Sequence, residues 1–266
     1  MYIHELLQRE PNIAGIISAT RGNHGQSIAF AARPHGVKAS IVVPFGNSKE
    51  KNAAMRALGA ELIEFGAEFQ ESREHAIRLA QQQGLHMVPS LHADLVRGVA
   101  TYWMEFFTAQ PAFDVIYVSI GQGSGICAAV AARNALGLST KIIGVVSSHA
   151  LAYKLSFEQG VLIESPVSTL LADGMACRTP DAASLKVIGK YVEQVVAVTD
   201  LEIAAAMKLI FLATHNVAEG AGAAALAAAM QDKAKLKGLK VGLSLSGGNV
   251  DHDVYSQVLK NDAASD

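Results

Sequence analysis

The chain has 266 residues, half of them hydrophobic and 17% charged, with a mean hydropathy of +0.25, a balance that excludes intrinsic disorder. At roughly 150 residues per domain, the length fits one large domain or two lobes. Lys plus Arg number 22 against 24 Asp plus Glu. The resulting net charge of -2 offers no footprint for nucleic acid or an acidic membrane, so small molecules or further copies of the chain are the expected partners.

Taken in order, the opening MYIHELLQREPN carries charges throughout and has no apolar h-region, so it is not a signal peptide. Short β-rich runs then alternate with helical patterns: 15–18, 39–43, 61–65, 86–88, 114–120, 141–146, 194–198 and 240–245 are the expected strands. Gly59 and Gly84 stand where helices should stop, and Thr199 with Glu202 spells a capping box. Alternation with short connections predicts an α/β fold of parallel sheets covered by helices on both faces. A soft boundary near 90–97 separates a smaller lobe, 15–95, from a larger one expected to hold 1–14 and 96–266. The helix after the boundary is rich in aromatics, Tyr102, Trp103, Phe106 and Phe107, which suits either core packing or a contact surface. The longest uncharged stretch, 115–132, is broken by glycine, serine and glutamine and reads as strand, loop and helix rather than a membrane span. Cys127 and Cys177 lack the spacing of a zinc site and read as reduced thiols of a cytoplasmic protein. The closing N-D-A-A-S-D reads as a frayed tail.

Four places could carry chemistry. Gly121-Gln122-Gly123-Ser124-Gly125 follows an apolar strand and leads into an Ala-rich helix expected to begin near Ile126. Glycines admit close backbone approach and a helix start offers unpaired N–H groups, so the loop suits a phosphate, although a tight turn needing no ligand has the same spelling. No G-x-G-x-x-G with a following acidic residue is present, which disfavours NAD, and no Gly-Lys-Ser/Thr ending, which disfavours a nucleoside triphosphate. Thr20-Arg21-Gly22-Asn23-His24-Gly25-Gln26 joins a strand to a helix expected over 26–33, where helix N–H groups could take a carboxylate; an Asn N-cap and a surface histidine would account for it equally. Ser246-Gly247-Gly248-Asn249 places a hydroxyl after the last strand, or is simply a turn. His215 and Glu219 have the i, i+4 spacing of two metal ligands on a helix face, but no third ligand is evident and no metal is expected.

Together these loops resemble the pyridoxal-phosphate (PLP) enzymes of the tryptophan synthase β-subunit fold, also called PLP fold type II, and most closely the threonine/serine dehydratase group that includes serine racemase. The markers, in register from Ile13 to Asp251, are T-R-G-N-H-G-Q at 20–26, G-Q-G-S-G at 121–125, A-D-G-M-A at 172–176, A-E-G-A-G-A-A-A-L at 218–226 and L-S-G-G-N-V-D at 245–251. The resemblance implies pyridoxal 5'-phosphate as cofactor. Gly121, Gln122 (through its backbone), Gly123, Ser124 and Gly125 would hold its phosphate, Asn23 its 3′ oxygen, and Ser246 would face its ring nitrogen. Thr20, Gly22, Asn23 and His24 would take the substrate carboxylate, and Glu219 would line the cofactor cavity. A homodimer or homotetramer is implied as well.

Three departures stand out. The family lysine that forms the Schiff base belongs to an S-F-K-x-R-G segment absent from this sequence, and the earliest lysine is Lys38, which opens the second strand. No catalytic residue is therefore assigned, an N-terminally truncated chain is expected, and its activity should be weak or nil. Arg21 replaces the serine that racemases use as an acid; a guanidinium does not release its proton near neutral pH, so racemisation is not expected. Arg21 could pair with a substrate carboxylate, including the second one of 3-hydroxyaspartate, or form an unrelated salt bridge. Residues 146–152 lack the acidic pair that binds a divalent cation in some relatives, so no Mg or Mn requirement is expected. The activity implied is dehydration of L-threonine or L-serine to a 2-oxo acid and ammonia. A non-catalytic PLP-binding remnant, a β-replacement enzyme and a hydroxyaspartate dehydratase are the alternatives.

Overall fold

The computed structural model describes residues 1–110 and 112–260; the expected frayed tail, 261–266, lies outside the described residues. The chain divides into two units, Met1–Asp94 with Asn249–Asp251, and Leu95–Gly248 with His252–Asp266.

The first unit contains α1 (Tyr2–Arg9), β1 (Ile16–Ala19), α2 (Asn23–Ala32), β2 (Ala39–Val43), α3 (Lys49–Ala57), β3 (Glu61–Glu64), α4 (Phe69–Gln83) and β4 (His86–Met87). Its four strands are parallel in the order β3-β2-β1-β4. β1 and β2 are buried along their whole length, as their largely apolar spelling, broken only by Ser18 and Ser40, requires of a sheet covered on both faces. Ile17, Ala19 and Val42 pack against Ala76 and Ala80 of α4. The helix stops follow backbone conformation: Gly84 ends α4 in the left-handed region at φ 64°, and Gly59 has φ 94° two residues past α3.

Residues 1–14 belong to this unit, which corrects their assignment to the larger lobe. Leu6 and Ile3 of α1 are buried, the Tyr2 hydroxyl hydrogen-bonds His86 at 2.9 Å, and Arg9 donates to Asp94 at 3.0 Å. An amphipathic helix announces that it will bury one face but not against what.

The second unit contains most of α5 (Ala93–Ala109), then β5 (Val115–Ser119), α6 (Ser124–Ala135), β6 (Lys141–Ser147), α7 (Ala152–Gln159), α8 (Ala182–Tyr191), β7 (Gln194–Val198), α9 (Asp200–Thr214), α10 (Gly220–Gln231), β8 (Val241–Leu243) and α11 (His252–Lys260). Its parallel sheet has the order β7-β6-β5-β8. Ile116, Val118, Ile142 and Val195 of the sheet share one core with Ile126 and Ile188. Trp103 and Phe107 of the aromatic helix lie in that core, and the Trp103 indole donates to the Gly125 carbonyl at 3.0 Å, so core packing accounts for them. The Thr199–Glu202 capping box is formed in full at the start of α9. All eight expected strands are present, within a residue or two at their ends.

Strand order sets the function-bearing positions. In the first unit the chain runs from β1 outward to β2 and β3, then returns to the other side of β1; in the second it runs from β5 to β6 and β7, then returns to β5's other side. The crevice at the C-terminal end of such a reversal point is where open α/β sheets bind ligands. The loop after β1 carries Thr20–Gly22, and the loop after β5 carries residues 121–123.

Candidate functional site

The loop after β5 turns through Gly123, whose φ of 94° makes it a left-handed N-cap for α6 with no side-chain capping bond. Cys127 N–H returns to the Gly123 carbonyl at 3.0 Å, which leaves the amides of Ser124, Gly125 and Ile126 without a partner inside the helix. The helix dipole adds its positive end to these donors. α6 begins two residues earlier than expected, at Ser124, so Ser124 and Gly125 lie within its first turn.

Glycine is required here by neighbours. A Cβ on Gly121 would stand 2.4 Å from the Gly174 carbonyl oxygen, and one on Gly123 would stand 2.5 Å from Ser184 Cβ. A Cβ on Gly125 would meet nothing within 4 Å, so that glycine keeps open space above the helix start. The Gln122 side chain turns inward, donating to Cys177 Sγ at 3.3 Å, and its carbonyl accepts from the Tyr153 hydroxyl at 3.0 Å. At Gln122 only the backbone is then left to face a ligand. Burial pushes both Cys127 and Cys177 up to about 12, so they are inert thiols.

The other glycine motifs of the second unit pack closely on this loop or on one another. A Cβ on Gly174 would meet Ala221 Cβ at 3.0 Å, one on Gly220 the Leu171 carbonyl at 2.2 Å, and one on Gly222 the Gly247 carbonyl at 2.3 Å. Ser119 Oγ donates to the Ala221 carbonyl at 2.7 Å, and the Glu219 amide donates to the Gly247 carbonyl at 3.0 Å. Residues 121–125, 172–176, 218–222 and 246–248 are therefore held together by direct backbone approach. Ser246 is exposed in this cluster, three residues beyond β8, which ends at Leu243 rather than 245.

Glu219 is the N-cap residue of α10 and only 3% exposed. His215 closes α9 in the left-handed conformation at φ 56°, so the two residues lie at the ends of different helices and do not share a helix face. The i, i+4 ligand spacing fails for that reason. Among the described residues no group of three or more His, Cys, Asp or Glu could hold a metal ion.

The loop after β1 is built similarly. Thr20 Oγ1 accepts from the Gly22 amide at 2.9 Å, and Gly22, at φ 153°, is the N-cap of α2. A Cβ there would run into the Lys51 side chain at 2.4 Å. α2 begins at Asn23, three residues before the expected start, so the reading of Asn23 as N-cap is corrected: Gly22 caps and Asn23 opens the helix. Gln26 N–H bonds the Gly22 carbonyl, again leaving first-turn amides for an anion. Asn23 Oδ1 accepts from Asn249 Nδ2 at 2.8 Å. His24 is not the surface histidine of the alternative reading: burial lowers its pKa to about 4, against which a hydrogen bond with the Pro89 backbone acts, and its Nε2 is buried with no hydrogen-bond partner. The Nε of Arg21 is likewise buried and unpartnered.

Two features escaped sequence reading. Tyr153 and Ser184 meet behind the β5 loop at 2.6 Å, and Asp251 accepts from Ser48 Oγ and from the Lys49 amide at the start of α3. Neither has a local signature, since partners 31 and 203 residues apart are joined only by topology.

The profile of the pyridoxal-phosphate dependent enzymes matches residues 1–247. The chain belongs to that family. The L-threonine ammonia-lyase of Thermotoga maritima is 32% identical over 254 residues, 95% of this chain, and the L-threo-3-hydroxyaspartate ammonia-lyase of a Pseudomonas species is 30% identical over 249 residues, 93% of this chain and 78% of that protein. The structure of the processed threonine deaminase isoform 2 of Solanum lycopersicum superposes with a TM-score of 0.88 at 28% identity, covering 98% of this chain and 77% of that one. The fold is thus that of PLP fold type II, as expected. The chain spans 63% of the length of the Thermotoga enzyme and 48% of the biosynthetic L-threonine dehydratase of Escherichia coli. No helix among the described residues is long and apolar enough to cross a membrane.

The residues present fit the family's cofactor at its phosphate end. The left-handed N-cap, the first-turn amides and the open space over Gly125 make an anion cradle that side chains at 121 or 123 would destroy.

Proposed function

We propose that the protein is a PLP-dependent ammonia-lyase acting on L-threonine or L-serine, with the cofactor phosphate at residues 121–125. The single observation that carries this reading is the anion cradle before α6, in a chain of the PLP-dependent family. When bound, the cofactor supplies an electron sink that loosens the α-proton of an amino acid and lets the β-hydroxyl leave as water.

The chain's own residues do the holding and orienting. The amides at the start of α6 neutralise the phosphate. Ser246, exposed and neutral, would face the ring nitrogen, and a neutral partner there would leave that nitrogen largely unprotonated and favour loss of the β-hydroxyl over transamination. Asn23 would hold the 3′ oxygen. Thr20, Gly22 and His24, with the first-turn amides of α2, would receive the substrate carboxylate, and Glu219 would line the cavity. His24 stays neutral above about pH 4, so the carboxylate is held by hydrogen bonds and the helix dipole rather than by an imidazolium.

A second substrate, 3-hydroxyaspartate, is favoured by Arg21. Its Nε is buried without an acceptor, a costly state for a donor on a charged group, and a second substrate carboxylate would supply that acceptor. A relative at 30% identity carries that substrate in its name. From the resemblance, the reading also includes a cytoplasmic homodimer or homotetramer.

The test is to load the purified chain with PLP and measure cofactor binding by calorimetry and 2-oxo acid release from L-threonine, L-serine and L-threo-3-hydroxyaspartate. Oxo acid release without a second substrate supports the lyase over a β-replacement enzyme. Binding without turnover supports the non-catalytic remnant, and absence of binding overturns the cofactor assignment.

A further inference from the structure

The carbonyl behind the phosphate cradle is held by a two-hydroxyl relay. Tyr153, on α7, is 1% exposed and its Oη meets three groups: it donates to the Gln122 carbonyl at 3.0 Å, accepts from the Asp181 amide at 3.0 Å, and lies 2.6 Å from Ser184 Oγ. Ser184, fully buried in the first turn of α8, also lies 3.0 Å from the Asp181 carbonyl as a donor. Its Cβ occupies the space that any side chain at Gly123 would need.

Two hydroxyls carry two protons, and the acceptors available are the Gln122 carbonyl, the Asp181 carbonyl and each other's oxygen. Two arrangements also place a proton between the two hydroxyl oxygens, as their 2.6 Å separation requires. In one, Ser184 donates to Tyr153 and Tyr153 donates to Gln122. In the other, Tyr153 donates to Ser184, Ser184 donates to Asp181, and the Gln122 carbonyl loses its donor. The Gln122 carbonyl shares its peptide plane with the Gly123 amide, and in a trans peptide the two point in opposite directions. Holding the carbonyl on Tyr153 thus aims the Gly123 N–H away from the core, and polarises it as a donor.

We infer that Tyr153 is a positioning residue for the cofactor phosphate, its proton placed on the Gln122 carbonyl when an anion sits in the cradle, with Ser184 as the alternative proton acceptor. The inference rests on the phosphate assignment above and extends it to residues one layer behind the loop. It makes the two hydroxyls unequal. Tyr153→Phe removes the donor to Gln122. Ser184→Ala removes the competing acceptor together with one donor to the tyrosine oxygen, which keeps the Asp181 amide, and leaves Gln122 as the sole partner for the tyrosine proton.

Calorimetric titration of wild type, Tyr153→Phe and Ser184→Ala with PLP, inorganic phosphate and phosphate-free pyridoxal tests this. Tyr153→Phe should bind PLP and phosphate about five- to tenfold more weakly, the worth of one hydrogen bond to a charged ligand's cradle, with pyridoxal affinity unchanged. Ser184→Ala should keep or tighten PLP affinity. In wild type the amide nitrogen and proton signals of Gly123 should move on phosphate addition, and by less in Tyr153→Phe. Equal PLP affinity in wild type and Tyr153→Phe, or a Ser184→Ala loss as large as that of Tyr153→Phe, overturns the relay while leaving the cradle standing. Failure of wild type to bind either PLP or phosphate overturns the cradle and the relay with it. If Tyr153→Phe does not fold, Ser184→Ala decides: any weakening of PLP binding beyond the error of the titration contradicts the proposal, and unchanged or tighter binding supports it.

Discussion

Asn249 Nδ2 donates to Asn23 Oδ1 at 2.8 Å. The bond fixes which end of the Asn23 amide turns away from Asn249: the NH2, a donor suited to an oxygen acceptor such as the cofactor's 3′ oxygen. Asn249→Ala should weaken PLP binding by about three- to tenfold, because this constraint on the Asn23 amide, worth about 1 kcal/mol, is lost. Asn23→Asp, which replaces the donor by an anionic acceptor, should weaken it further. Calorimetry with PLP reads both, and an Asn249→Ala protein with wild-type affinity would contradict the orienting role.

Gly125 is the clean place to test the cradle. A side chain there meets nothing within 4 Å, whereas one on Gly123 collides with Ser184 at a left-handed φ. Gly125→Asp should abolish phosphate and PLP binding by pointing a like charge at the anion, with the melting temperature changed by only a few degrees. Gly123→Ala should instead cost stability, on the order of 2 kcal/mol or more, and thermal unfolding of the pair separates the two effects. Gly125→Asp that still binds PLP at wild-type affinity removes the phosphate from this loop.

His24 gives stability a definite pH dependence. Its folded pKa is depressed from 6.5 to about 4 by burial, so the unfolded chain binds the proton more readily than the native one. The stabilising contribution of a neutral ring is complete above pH 6.5 and declines as pH falls toward about 4, by at most about 3 kcal/mol. Urea unfolding between pH 7 and 4 should show this decline in wild type and a shallower one in His24→Gln. Parallel curves would mean that the ring titrates normally.

Arg21 should discriminate between substrates. Arg21→Ala is expected to weaken L-threo-3-hydroxyaspartate binding by about ten- to a hundredfold, the worth of a charge-assisted hydrogen bond, and L-threonine binding by less than about threefold. Equal effects on the two ligands, measured with the PLP-loaded protein, would assign Arg21 to the shared carboxylate or to structure alone.

Much of this architecture was legible in the sequence because buried parallel strands are spelled as short unbroken apolar runs. Ala39–Val43 and Gln194–Val198 end at the residues where their runs end. Helix starts were less visible where a glycine serves as N-cap: Gly22 and Gly123 cap through backbone conformation alone, so α2 and α6 begin two to three residues before their apolar patterns suggest. The glycine motifs were readable as sites of close approach, but their partners were not, since Gly121 is matched to the carbonyl of Gly174 and Gly222 to that of Gly247. Spacing alone misled at His215 and Glu219, where a left-handed residue ends one helix before the next begins. The Tyr153–Ser184 pair was invisible because two hydroxyls on separate helices leave no pattern until the fold brings them together.

The central claim is that an anion sits over the first turn of α6, and a crystal structure of the protein soaked with PLP tests it most directly. The account predicts phosphate density within hydrogen-bond distance of the amides of Gly123, Ser124 and Gly125. Phosphate bound away from that turn, or a well-ordered β5 loop with no ligand density at saturating PLP, would contradict it.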